Sequence, residues 1–125
     1  MRAEIIIGGL AALALCALAA GCIQDAVSRE IGRLHSSDPA EQASAARALG
    51  RLGDDRAYDH LLWALKEPEA RVRAAAAEAL GDLGNVNAIR PLNRAFKTDK
   101  DGPYAASYVR ALQRLRALLP PEALP

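Results

Sequence analysis

The segment Ala48-Leu49-Gly50-Arg51-Leu52-Gly53-Asp54 returns 31 residues later as Ala79-Leu80-Gly81-Asp82-Leu83-Gly84-Asn85. A degenerate third copy, Ala111-Leu112-Gln113-Arg114-Leu115, follows after a further 32 residues. The flanks repeat as well: Arg56-Ala57-Tyr58 through Leu61 to Leu65-Lys66 aligns with Asn87-Ala88-Ile89 through Leu92 to Phe96-Lys97. A period of this length is the mark of a solenoid or array. Each unit is too small to bury its own apolar faces, so the units must stack on one another.

Each unit reads as two helices. Val72, Ala75, Ala76, Ala79, Leu80 and Leu83 recur at helical spacing, and Gly84 followed by Asn85 ends that run. The next helix puts Ile89, Leu92 and Phe96 on one face, with Pro91 in its first turns, where a missing donor costs little. Asp38-Pro39 and Glu67-Pro68 are expected to separate consecutive helices. With aromatic residues only 4% of the chain, leucine and alanine must build the core. Alanine also favours the helix and lets neighbouring helices approach closely. No stretch alternates with strand periodicity. Ile23, Val27, Ile31 and Leu34 share one helical face, so residues 24–35 read as an N-terminal capping helix. The proline-rich tail, 120–125, is expected to be irregular.

The middle of the chain, Leu52-Gly53-Asp54-Asp55-Arg56-Ala57 through Leu61 to Ala64-Leu65, then Glu67-Pro68 with Val72-Arg73 and Ala74 to Gly81, resembles the HEAT-like repeat of phycobilisome bilin lyases. The resemblance covers residues 37–119 and weakens at both ends, as terminal units of arrays do. It implies an all-α fold: a short α-solenoid of HEAT-like helix-turn-helix repeats with an N-terminal capping helix. It also implies that Asp54 and Arg56, which match the aspartate and arginine of the family's turn, stabilise the stacking of units. In such arrays the second helices usually line the concave face. Leu62 and Trp63 on one such helix, and Arg90 and Arg94 on the next, are therefore candidate partner-binding residues. Trp63 has two open readings: an exposed aromatic flanked by arginines, which is the composition of a binding hot spot, or a core residue against the capping helix.

The amino-terminal residues have a different character. A charged start is followed by an apolar run from Ile5 to Ala20 and by the small residues Ala19-Ala20-Gly21 before Cys22. The run is 16 residues, short of the roughly 20 needed to span a bilayer, and fits the apolar centre of a secretory signal. Leu18-Ala19-Ala20-Gly21-Cys22 resembles a bacterial lipoprotein signal. That resemblance implies a signal peptide over 1–21, cleavage before Cys22, and a lipid on its thiol that holds residues 22–36 and the repeats at a membrane. The expected place is the cell envelope, facing the periplasm, and the outer membrane where two membranes exist. Of the 2 cysteines, Cys16 lies in the segment to be removed and Cys22 is occupied by lipid, which excludes a disulfide framework in the mature chain.

What remains points away from chemistry. The sequence holds no HExxH, GxSxG or phosphate-loop motif. Its 2 histidines, His35 and His60, fall short of the three or four ligands that a zinc site needs. A net charge of +1 does not suit a nucleic-acid binder. The surface arginines, from Arg47 to Arg116, read as solvated helix faces with i, i+4 partners. No cofactor, metal or catalytic residue is expected. The chain is expected to be a lipid-anchored scaffold that binds a protein partner, not an enzyme and not a nucleic-acid binder. The alternative is an accessory factor related to bilin lyases in cofactor attachment.

Overall fold

The computed structural model describes residues 21–22 and 25–123. Residues 1–20, which hold nearly all of the expected signal peptide, lie outside the described residues, as do 124–125. Among the described residues six helices follow one another: α1 over 25–34, α2 (Pro39–Leu52), α3 (Ala57–Ala64), α4 (Ala70–Leu83), α5 (Ile89–Asp99) and α6 (Ala105–Ala117). Short 3-10 turns occupy Val86–Ala88 and Pro121–Ala123, so part of the expected irregular tail is ordered. There is no strand among the described residues, and none of their helices is long and apolar enough to cross a membrane.

Local sequence sets the boundaries. Asp38 accepts a bond from the Ala40 amide at 3.0 Å, and Pro39 begins α2 with the φ that a first helical turn needs. Gly53 (φ 67°) and Gly84 (φ 77°) end α2 and α4 in the left-handed conformation that a side chain resists. The unit boundary differs from the sequence expectation in one respect. α4 begins at Ala70, two residues beyond Pro68, so Glu69, not Glu67, takes the place of Asp38. The 31-residue offset that relates Leu49 to Leu80 also relates Asp38 to Glu69, and α3 has already ended at Ala64, before Pro68 is reached.

The first helices form a row, with α4 packed between α2 and α6, while α3 lies on α2 and α4 and α5 lies on α6. The row is close because of the repeated glycines. A Cβ on Gly50 would lie 2.7 Å from Ala79 Cα, and one on Gly81 would lie 2.8 Å from Ala111 Cα. Leu49, Leu61, Leu80, Leu92 and Leu115 fill the seam, each with no exposed surface. At the glycine position of the third copy stands Gln113, which is exposed.

Three surface arginines of this row, Arg47, Arg110 and Arg114, pair between helices and not at i, i+4. Arg47 and Arg110 flank Glu78 at 3.5 and 3.3 Å, and Arg114 meets Asp82. Ser107 donates to Glu78 at 2.6 Å. Burial works to raise the Glu78 pKa, but the Ser107 bond and the two guanidinium groups outweigh it and hold the carboxyl below its ordinary range.

Candidate functional site

The second helices are less tightly joined than the first. Between the C-terminal end of α3 and the length of α5 lies an open groove of about 480 Å³. Leu62 on α3 and Leu65 at its C-cap line it on one side, and Pro91 and Ala95 from α5 on the other, with Pro68 on the linker between α3 and α4. Lys66 and Arg94 stand at its rim, both exposed.

One end of the groove is fixed by Arg73. Its Nε and Nη2 each donate to the Asp99 carboxylate at 2.8 Å, and its Nη1 donates to the Glu67 and Pro68 carbonyls at 2.8 and 2.6 Å. The Tyr108 hydroxyl of α6 donates to the same carboxylate. The Arg73 fork is the main reason why the Asp99 pKa lies below the usual carboxylate range; burial opposes the shift and the Tyr108 bond adds to it. Burial, reinforced by the adjacent carboxylate, pushes the Tyr108 phenol far up. Arg73 thus ties the α3–α4 linker and the end of α5 to α4, and Asp99 in turn holds the first turn of α6 through Tyr108. The preceding unit holds a weaker form of the same tie, Gln42 to Glu67 at 3.3 Å, because a neutral amide stands where the next unit has arginine. Sequence reasoning placed Arg73 on a solvated face. The signal that could have found it was its place in the Val72-Arg73 pair of the repeat.

The candidate residues are distributed as follows. Leu62 is half-buried and shares the groove with Arg94. Arg90 is exposed on α5 one turn before Arg94, and is not part of the groove lining. Trp63 points elsewhere. It is 40% exposed and packs on His35, with ring centroids 4.3 Å apart. His35 Nε2 lies 3.0 Å from His60 Nδ1, a bond that joins the turn after α1 to α3. Trp63 therefore combines the two readings open from sequence: part of it faces solvent and part packs on the capping element. Asp54 and Arg56 form a two-pronged pair within their own turn, at 3.0 Å for both bonds, and Asp54 also accepts from the Arg56 amide. Asn85 repeats that amide bond in the next unit, with Asn87. Both pairs act on the turn itself. Cys22 is exposed, and among the described residues it has no disulfide partner. Among the described residues, no group of three or more histidine, cysteine or acidic side chains is placed to hold a metal ion.

Stacked helix pairs joined by short turns, with glycines at the close crossings of the first helices and a groove between the second, define a helical-repeat protein. The HEAT repeats family matches residues 31–119, and the chain belongs to it. HEAT repeats are typically non-catalytic scaffolds for protein interaction. No curated protein sequence matches the chain.

Proposed function

We propose that this chain is a lipid-anchored scaffold at the cell envelope, which binds a protein partner through the groove between α3 and α5. The observation that carries the binding half is the groove itself: concave, floored by leucine, proline and alanine, and rimmed by Lys66 and Arg94. Apolar side chains beside placed polar groups are the usual makeup of a binding site, and arginine is enriched among residues that dominate interface energy. The anchoring half rests on the Leu18-Ala19-Ala20-Gly21-Cys22 sequence and on the exposure of Cys22. In this reading residues 1–21 are removed, lipid on Cys22 meets the membrane, and the repeats face the periplasm.

The two halves have separate tests. A photo-crosslinking residue at Leu62 should capture a partner in intact cells, and the same residue at Arg116, on α6, should not. Equal capture at both positions, or none at Leu62, removes the groove from the proposal. Metabolic labelling with a fatty acid should mark the wild type and spare Cys22→Ser, whose protein should leave the membrane fraction. An unlabelled wild type would sink the lipid anchor.

A further inference from the structure

The charges around the groove are unequally satisfied. Its carboxylates are engaged inside the molecule: Asp99 by Arg73 and Tyr108, Glu67 by Gln42. Of its cations Arg73 is paired with Asp99, whereas Lys66 and Arg94 have no carboxylate within ion-pair distance among the described residues, nor have Arg90 and Lys97, which stand on α5 one turn either side of Arg94. Arg90, Arg94 and Lys97 fall at i, i+4 and i+7, so one face of α5 carries three exposed positive charges. On the row of first helices Arg47, Arg110 and Arg114 each have a carboxylate partner on the neighbouring helix, while Arg51, Arg71 and Arg116 have none among the described residues. What sets the groove apart is that its unpaired cations stand beside an apolar lining whose own carboxylates are already engaged.

From this asymmetry we infer that the groove takes an acidic segment of a partner protein, its apolar side chains seated over Leu62, Leu65 and Ala95 and its carboxylates against Lys66 and Arg94. The inference rests on the groove reading above and adds the chemistry of the occupant. A trough with an apolar floor suits side chains that enter it, whereas a flat anionic membrane would meet the rim and leave the floor empty. A volume of about 480 Å³ exceeds what one side chain fills, so the ligand is a stretch of chain. Guanidinium and ammonium groups at an open rim give selectivity for carboxylates and speed their approach.

The test uses the full chain in phosphatidylcholine nanodiscs and fluorescent peptides that repeat leucine with glutamate, with glutamine, or with lysine. The glutamate peptide should bind about tenfold or more tightly than the glutamine peptide, since a bond to a charged group contributes more than a neutral one. Arg94→Glu should abolish that preference. Thr98→Trp, at an exposed position on the groove wall, should block both peptides while far-UV circular dichroism stays unchanged, and Arg116→Glu should do neither. Equal binding of the glutamate and glutamine peptides, still blocked by Thr98→Trp, overturns the acidic class and leaves the groove reading standing. Binding of no peptide, or binding indifferent to both Arg94→Glu and Thr98→Trp, overturns both. Arg94-dependent binding to phosphatidylglycerol vesicles, with no peptide bound, makes the face a membrane contact and overturns the inference.

Discussion

Asp99 receives both prongs of the Arg73 fork and the Tyr108 hydroxyl, and its side chain is only 12% exposed. Bonds to a charged acceptor contribute about 1.5–3 kcal/mol each where they are shielded from water. Asp99→Asn keeps the shape and removes the charge, so it should destabilise the fold by about 1–3 kcal/mol at neutral pH. The sign of the pH dependence follows from the lowered pKa of Asp99. The contribution is complete above the unfolded carboxylate pKa of about 3.9, and it is lost as pH falls from there through the lower folded value. Denaturant melts of wild type and Asp99→Asn should therefore differ at pH 7 and converge toward pH 3. A gap that persists unchanged into acid would mean that shape, not charge, makes this tie. Trp63 behaves differently, because 40% of it is exposed and its ring packs on His35. Trp63→Ala should cost about 1 kcal/mol, the scale of one aromatic pair, with far-UV helicity retained; global unfolding on this substitution would show that Trp63 is core.

Between helices, the same substitution has opposite signs at different glycines. Gly81→Ala gains up to about 1 kcal/mol of helix propensity, but its new Cβ meets the Ala111 backbone at 2.8 Å, where no side chain can rotate away. Overpacking of this kind costs about 1–3 kcal/mol and often more against backbone, so the clash wins. Gly32→Ala lies within α1 with nothing within 4 Å of its new Cβ, and should stabilise by up to about 1 kcal/mol. Thermal melts of the two variants should move in opposite directions; a stabilised Gly81→Ala would mean that α4 and α6 stand further apart than described. This also marks what the sequence could tell. Helix number, order and the glycine-terminated turns were legible because Leu49, Gly50 and Gly53 recur at a fixed period as Leu80, Gly81 and Gly84. The Arg73–Asp99 tie was not, because its partners are 26 residues apart and each looks like an ordinary surface charge. The groove was legible only in part. Leu62 and Arg94 were singled out as second-helix residues, but the spacing of α3 from α5 depends on packing, not on a periodic pattern. Trp63 was singled out on the same ground, and its ring contact with His35 is one that no periodicity encodes.

At the scale of the whole array, α6 closes one side of the core. It covers Gly81 of α4, packs on α5 and brings Tyr108 to Asp99. Its own outer face carries exposed Ala106, Val109 and Gln113. A further helix could not approach α6 as α6 approaches α4 without displacing Gln113, whose side chain occupies the place where Gly50 and Gly81 leave room. Stability of a stacked array is close to a sum of unit terms and nearest-neighbour interfaces, so removing α6 removes one interface and uncovers the one beneath. A chain ending at Lys100 would uncover Gly81 and the face of α4 that packs on α6, and leave Asp99 with Arg73 alone. In a domain whose total stability is about 5–15 kcal/mol, that loss should abolish cooperative melting and favour association through the uncovered alanine face. Circular dichroism melts and light scattering of the truncated chain check this directly. A monomer with an undiminished cooperative transition would show that α1 to α5 carry the fold and that α6 is only appended to it.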